Sequence, residues 1–178
     1  RHQVDALFDL HLDRQVQAVA DLAPAAYAGS PAGLQSLLDR AAALGVGTAS
    51  LHKALLVGEP LAGHDQDYFG EKHGIEAFRC LATAELGMFA YQTSAGDGFV
   101  VDESVIVEIV DPRSGRPTPP GKAGEIVVTA FNPDYPLIRF ATGDMAKVLP
   151  GEGACGRTNM RLSHLLGRVA DDGVAARE

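Results

Sequence analysis

The sequence predicts an α/β fold in which a partial parallel sheet flanked by helices is followed by a small antiparallel β subdomain. Segments with helical and strand-like hydrophobic patterns alternate through the first half of the chain, as expected for a parallel sheet covered by helices. After Gly87, short β-rich runs alternate instead with strong turn signals, such as Asp-Pro-Arg-Ser-Gly at 111–115. We therefore place an α/β subdomain at residues 1–87 and a β-rich subdomain at residues 88–166.

The elements of the first half follow from local signals. Apolar residues at helical spacing predict a first helix over Asp13–Leu22. Ser30 followed by Pro31 supplies an N-cap and a proline at the first helical position, so a second helix should begin there and end at Gly45. The remaining predictions are strands at Ala25–Gly29, Lys53–Val57 and Ile75–Leu81 and a helix at His64–Lys72.

The second half contains runs rich in β-branched and aromatic residues, bounded by Gly and Pro. Their short lengths and tight turns are typical of a small antiparallel sheet or barrel. The predicted strands are Phe99–Val101, Val105–Val110, Glu125–Phe131, Leu137–Phe140 and Arg161–Leu166.

Composition restricts the function. The 178 residues are 46% apolar and 21% charged, as in globular proteins. The net charge of −8 argues against a nucleic-acid partner, because such proteins need clustered Lys and Arg. No apolar run approaches the roughly 18 residues that span a membrane, and two distant cysteines form no disulfide framework. We expect a cytoplasmic protein, with neighbouring sequence beyond both ends because the chain begins at Arg1 in what resembles mid-domain sequence.

The strongest candidate site is the tripeptide Thr142-Gly143-Asp144, which follows the predicted strand Leu137–Phe140. Glycine lets the backbone approach a ligand, and one carboxylate can accept hydrogen bonds from both hydroxyls of a ribose. Taken alone, the tripeptide is more typical of an exposed turn than of a binding site.

Four other segments give this tripeptide a context, and the five together resemble one family. Their order and spacing resemble the phenylacetate–CoA ligase branch of the AMP-forming acyl-CoA ligases, over residues 15–172. The resemblance implies the fold of the N-terminal domain of an adenylate-forming ligase, with this chain as an internal fragment. The segments are Gly-Glu-Ile-Val-Val-Thr at 124–129, Tyr-Pro-Leu-Ile-Arg-Phe at 135–140, Thr-Gly-Asp at 142–144, Cys-Gly-Arg-Thr at 155–158 and Gly-Arg at 167–168.

The resemblance implies a role for several residues. Asp144 would bind the ribose hydroxyls of ATP, and Glu85 would help to hold the Mg²⁺ that accompanies the phosphates. The alternative for Glu85 is a solvated carboxylate near a strand end. Residues 81–84 depart from the usual family motif, although Thr83 could supply its hydroxyl. The residues expected around the adenine are Gly58, Glu59, Pro60, Leu81, Ala82 and Thr83.

The last residues, 167–178, are similar to the start of the family's hinge to a C-terminal domain. Arg168 would reach the ribose or a phosphate when that hinge closes, and Asp171 lies at the pivot position. Ala170 stands where the family usually has an aspartate, so Asp171 is equally well described as a charge in a frayed tail.

The resemblance implies a parent enzyme that joins an aromatic or arylacetic acid to CoA through an acyl-adenylate, with ATP, Mg²⁺ and CoA as co-substrates. A homodimer is also expected, since it is common in the family. The phosphate loop and the catalytic lysine of the family lie outside this chain, so we expect no complete catalytic set here and an isolated chain without activity. The alternatives are a truncated, non-catalytic nucleotide-binding or interaction domain, and a fragment with no independent activity.

Overall fold

A computed structural model describes residues 11–58 and 66–169. The chain divides between Arg79 and Cys80 into two compact units. Each unit has its own cluster of buried apolar side chains.

The first unit contains helices and parallel strands. Strands β1 and β2 pair in parallel, with Ala26 opposite Lys53, which confirms the predicted parallel arrangement. The predicted elements are present with ends shifted by one or two residues, although residues 64 and 65 of the predicted third helix lie outside the described residues. The elements are α1 (Leu12–Leu22), β1 (Ala26–Gly29), α2 (Pro31–Ala43), β2 (Lys53–Val57), α3 (Gln66–His73) and the first part of β3 (Glu76–Thr83).

Helix α2 forms where its sequence signals predict. The Ser30 hydroxyl accepts a hydrogen bond from the Gly33 amide at 3.0 Å, and Pro31 occupies the first turn. This cap satisfies an amide that has no partner within the helix. One face of the helix is buried in the core of the first unit through Leu34, Leu37, Leu38 and Ala41.

The second unit contains two sets of antiparallel strands. The end of β3 is followed in the pairing order by β4, β5, β10 and β9, and β7 lies between β6 and β8 in a three-stranded sheet. The predicted small antiparallel subdomain is therefore confirmed. The strands are β4 (Gly87–Gln92), β5 (Phe99–Val101), β6 (Val105–Val110), β7 (Gly124–Ala130), β8 (Phe140–Ala146), β9 (Val148–Leu149) and β10 (Arg161–Leu162).

The predicted strand at Leu137–Phe140 is wrong, because β8 begins only at Phe140. Arg139 adopts a left-handed conformation with φ +51°, and its amide donates to the Thr129 hydroxyl at 3.0 Å. Ile138, which alternation would have placed in a sheet, is 76% exposed. The predicted strand Arg161–Leu166 is shortened to two residues, and β4 and β9 were not predicted.

Within the described residues, no helix is long and apolar enough to cross a membrane.

Candidate functional site

Strand β8 contains a bulge at the predicted Thr-Gly-Asp tripeptide. In the ladder with β7, Val127 pairs with Ala141 and Glu125 pairs with Met145. Three residues of β8, Thr142 to Asp144, therefore stand opposite Ile126 alone. Gly143 has φ +78°, a conformation that a residue with a β-carbon rarely adopts. The prediction of a turn after a strand is thus wrong in detail, because the tripeptide interrupts a strand and does not follow one.

Side chains replace the ladder hydrogen bonds that the bulge disrupts. The buried Thr142 hydroxyl donates to the Ile126 carbonyl at 3.0 Å and accepts from the Asp144 amide at 3.1 Å. The Gly143 amide donates to Oε1 of Glu125 at 3.2 Å. The backbone at Asp144 is therefore held in one conformation by contacts within the second unit.

The other side of the bulge pairs with the segment that ends at Val169. The Met145 amide donates to the Gly167 carbonyl at 2.9 Å, and the Val169 amide donates to the Gly143 carbonyl at 2.8 Å. These two bonds flank Asp144 and Arg168, which form an isolated antiparallel bridge. In such a non-hydrogen-bonded pair the two side chains lie close together on one face.

Asp144 and Arg168 form an ion pair on that face. Nη1 of Arg168 donates to Oδ1 of Asp144 at 3.0 Å, and Nη2 donates to the Thr142 carbonyl at 3.4 Å. The Asp144 side chain is 21% exposed and that of Arg168 is 66% exposed. The guanidinium also lies over Gly143, where a β-carbon would be 2.7 Å from Nη2. The site thus combines a half-buried carboxylate that accepts hydroxyl hydrogen bonds with a solvent-facing arginine that can donate to anionic or hydroxyl groups.

The segment predicted to cover the adenine forms the end of β3 and the hairpin to β4. Leu81 is buried, Ala82 is half-buried, and the Thr83 hydroxyl accepts a hydrogen bond from the Leu86 amide at 3.1 Å. Glu85 lies exposed in the turn. Its exposure is compatible with a carboxylate that shares an ion with a nucleotide, since Mg²⁺ bound to phosphates needs only one or two protein carboxylates.

The remaining predicted site residues are Gly58, Glu59, Pro60 and Asp171. Gly58 belongs to the first unit, has φ +93°, and its carbonyl accepts a hydrogen bond from Nη2 of Arg79 at 3.5 Å. Glu59, Pro60 and Asp171 lie outside the described residues, so their roles remain predictions.

Metal and thiol sites have little support in the part of the chain that the structure describes. Residues 11–58 and 66–169 contain no cluster of three or more His, Cys, Asp or Glu side chains that could hold a metal ion. Cys80 is buried, and burial raises the pKa of its thiol, which keeps it protonated and unreactive.

Glu125 is a functional candidate that the sequence did not single out. It belongs to the Gly-Glu-Ile-Val-Val-Thr segment, but its hydrogen-bond partner Gly143 is 18 residues away. The only sequence signal was its place in a segment that resembles the family, and that signal gives no role to the side chain.

Comparison with known proteins finds relatives among the CoA ligases. No family model matches the sequence. A phenylacetate–coenzyme A ligase of Thermus thermophilus is 29% identical over 166 residues, which cover 89% of this chain and 37% of that protein. A phenylacetate–coenzyme A ligase of Escherichia coli is 26% identical over 168 residues, with 89% and 38% covered. The chain is thus similar to phenylacetate–coenzyme A ligases over 89% of its length.

A solved structure extends the similarity from sequence to fold. 2-Hydroxyisobutyryl-CoA ligase, in an open conformation with 2-HIB-AMP and CoA, matches with a TM-score of 0.79 and 27% identity over 96% of this chain. The match confirms the predicted α/β fold of an adenylate-forming ligase. It covers 38% of the solved chain, and our chain spans little more than a third of the length of its phenylacetate–CoA ligase relatives.

Proposed function

We propose that this chain supplies the ribose-binding part of a ligase that activates a carboxylic acid with ATP and transfers the resulting acyl group to CoA. The observation that carries the proposal is the bulge in β8, which holds Asp144 beside Arg168 on one face of the second unit. The similarity to CoA ligases, one of them a complex with an acyl-AMP and CoA, supports the same reaction class.

The geometry suits a nucleotide sugar. Asp144 can accept hydrogen bonds from the 2′ and 3′ hydroxyls, and its partial burial strengthens bonds to a charged acceptor. The bulge holds the backbone of Asp144 before any ligand arrives, so little conformational entropy is lost on binding. Arg168 can turn one of its donors from Asp144 to the ribose or to a phosphate, because two thirds of its side chain faces solvent.

Further parts of the proposal rest on the resemblance to phenylacetate–CoA ligases. Glu85 would share a Mg²⁺ ion with the phosphates of ATP, and Gly58, Glu59, Pro60, Leu81, Ala82 and Thr83 would surround the adenine. The acid would be aromatic or arylacetic, as the names of the curated relatives suggest. A cytoplasmic homodimer, a hinge role for Asp171 and an isolated chain that forms no acyl-CoA remain predictions.

Nucleotide titration of the 178-residue chain tests the ribose site. We expect the chain to bind ATP more tightly than 2′,3′-dideoxy-ATP, which lacks both hydroxyls. Hydrogen bonds to a charged group contribute about 1.5–3 kcal/mol, so Asp144→Asn should weaken ATP binding about 10-fold to 100-fold. The same substitution should leave the affinity for the dideoxy nucleotide nearly unchanged.

The matched control is Asp134→Asn, which removes the same charge from an exposed loop of the same unit. Its affinity for both nucleotides should equal that of the unsubstituted chain. Equal loss in the two variants would mean that Asp144 acts only through net charge. A chain that bound neither nucleotide would favour the alternative, a non-catalytic interaction domain.

A further inference from the structure

The conformation of the bulge depends on one side chain from the neighbouring strand. The Thr142 hydroxyl bonds to the Asp144 amide and to the Ile126 carbonyl, whereas the Gly143 amide is held by the Glu125 carboxylate at 3.2 Å. A peptide at φ +78° is easily rotated when its amide has no partner, because glycine has a wide range of accessible conformations. Glu125 therefore holds the peptide that joins Thr142 to Gly143, one residue before Asp144.

The backbone of β7 positions the Glu125 side chain beside the Gly143 amide. Glu125 pairs with Met145 on one side and with Val110 on the other, so its position is fixed by both neighbouring strands. The preceding residue, Gly124, leaves no room for a side chain, since a β-carbon there would lie 2.5 Å from the Val110 carbonyl oxygen. This close approach keeps β6 against the start of β7 and thereby holds the Glu125 side chain in register with the bulge.

The peptide between Thr142 and Gly143 also contacts Arg168. Its carbonyl, that of Thr142, accepts a hydrogen bond from Nη2 of Arg168 at 3.4 Å, and the guanidinium packs over the Gly143 α-carbon. Rotation of this peptide would turn that carbonyl away from Arg168 and shift the backbone that leads to Asp144. The hydrogen bond to Glu125 thus acts on the peptide that bears on both charged groups.

We propose that Glu125 is a positioning residue for the ribose site, which holds the Gly143 peptide so that Asp144 and Arg168 face the same ligand. The inference rests on the proposed function, because ribose binding is the property that the positioning serves. In this role Glu125 acts through its bond to the Gly143 amide and not by contact with the nucleotide. Its side chain is long enough to place an acceptor oxygen beside the Gly143 amide, and that role does not require a negative charge.

Two variants separate the effect of side-chain length from the effect of charge. Glu125→Gln keeps the length and an acceptor oxygen but removes the charge, whereas Glu125→Asp keeps the charge and withdraws the carboxylate by one methylene. We expect Glu125→Asp to weaken ATP binding about fivefold, the typical effect of one lost hydrogen bond, and Glu125→Gln to bind ATP within about twofold of the unsubstituted chain. Binding of 2′,3′-dideoxy-ATP should not change in either variant.

Amide hydrogen exchange supplies a readout that does not depend on a nucleotide. Exchange at Gly143 and Asp144 should accelerate in Glu125→Asp and stay slow in Glu125→Gln. The control is Glu71→Asp, which makes the same change on the exposed surface of α3 in the first unit. Thermal unfolding of each variant verifies that the chain remains folded.

The outcomes distinguish this inference from the proposed function. Unchanged exchange at Gly143 in Glu125→Asp, or equal weakening of both nucleotides, would overturn the positioning role while Asp144 could still bind ribose. Failure of the unsubstituted chain to prefer ATP over the dideoxy nucleotide would instead refute the ribose site, and the positioning role with it. A Glu125→Gln variant as weak as Glu125→Asp would show that the charge is needed as well as the side-chain length, and would also overturn the proposal.

Discussion

Replacing Gly143 with alanine tests how closely the backbone of the bulge and the arginine are coupled. The substitution has two effects that can be separated. The residue has φ +78°, a conformation that is unfavourable for alanine, and the new methyl group would lie 2.7 Å from Nη2 of Arg168. The guanidinium is the far end of a flexible, mostly exposed side chain, so it should move aside and leave Asp144.

The expected loss of stability can be worked out from these contacts. The left-handed conformation costs about 1–2 kcal/mol for a residue with a β-carbon. Displacing Arg168 removes an exposed ion pair, which contributes at most about 1 kcal/mol after solvent screening. The total is about 1–3 kcal/mol, or a fall in melting temperature of roughly 2–12 °C for a chain of this size.

A matched glycine isolates the first of these effects. Gly156 lies in the same unit with φ +77°, and a β-carbon there would meet nothing within 4 Å. Gly156→Ala should therefore show the backbone effect alone. In an Arg168→Ala background the steric effect disappears, so Gly143→Ala should become no more destabilising than Gly156→Ala.

Urea denaturation of the two alanine variants, with and without Arg168→Ala, measures each free energy of unfolding. Coupling between Gly143→Ala and Arg168→Ala, and none between Gly156→Ala and Arg168→Ala, is the expected pattern. If Gly143→Ala lost the same stability in both backgrounds, the guanidinium would not pack on the bulge, and the reasoning would be refuted.

Two further predictions concern stability elsewhere in the chain. Asp97→Ala should lower the free energy of unfolding, measured by urea denaturation, by about 3 kcal/mol, because the buried guanidinium of Arg161 loses the carboxylate that lies 2.7 Å away. The control is Glu103→Ala, which breaks an exposed ion pair with Arg157 and should lower the free energy of unfolding by less than about 1 kcal/mol. Burial lowers the pKa of His73 below its ordinary value of 6.5, so the unfolded chain binds a proton more readily and stability should fall as the pH drops below that value. The midpoint of urea unfolding between about pH 7 and pH 5 measures this slope, and an identical slope in His73→Gln would contradict it.

Local sequence signals predicted the fold where local interactions decide it. Ser30 and Pro31 located the start of α2, because a cap and its helix are neighbours in the chain. The strand Leu137–Phe140 was wrong for the opposite reason. The left-handed conformation of Arg139 is held by Thr129 ten residues earlier, and by bonds from its side chain to Glu108 and Gly115. Alternation of apolar residues carries no information about such partners.

The sequence by itself determined the order of the elements in the first unit and the segments that resemble phenylacetate–CoA ligases. It also identified Asp144 and Arg168 as candidates. Only the tertiary structure decided that Thr-Gly-Asp is a bulge within β8, that Arg168 pairs with Asp144 across it, and that Glu125 holds it from β7. The physical reason is that a bulge is a property of strand register. Register is set by hydrogen bonds between residues far apart in the chain, so it appears only when the strands are brought together.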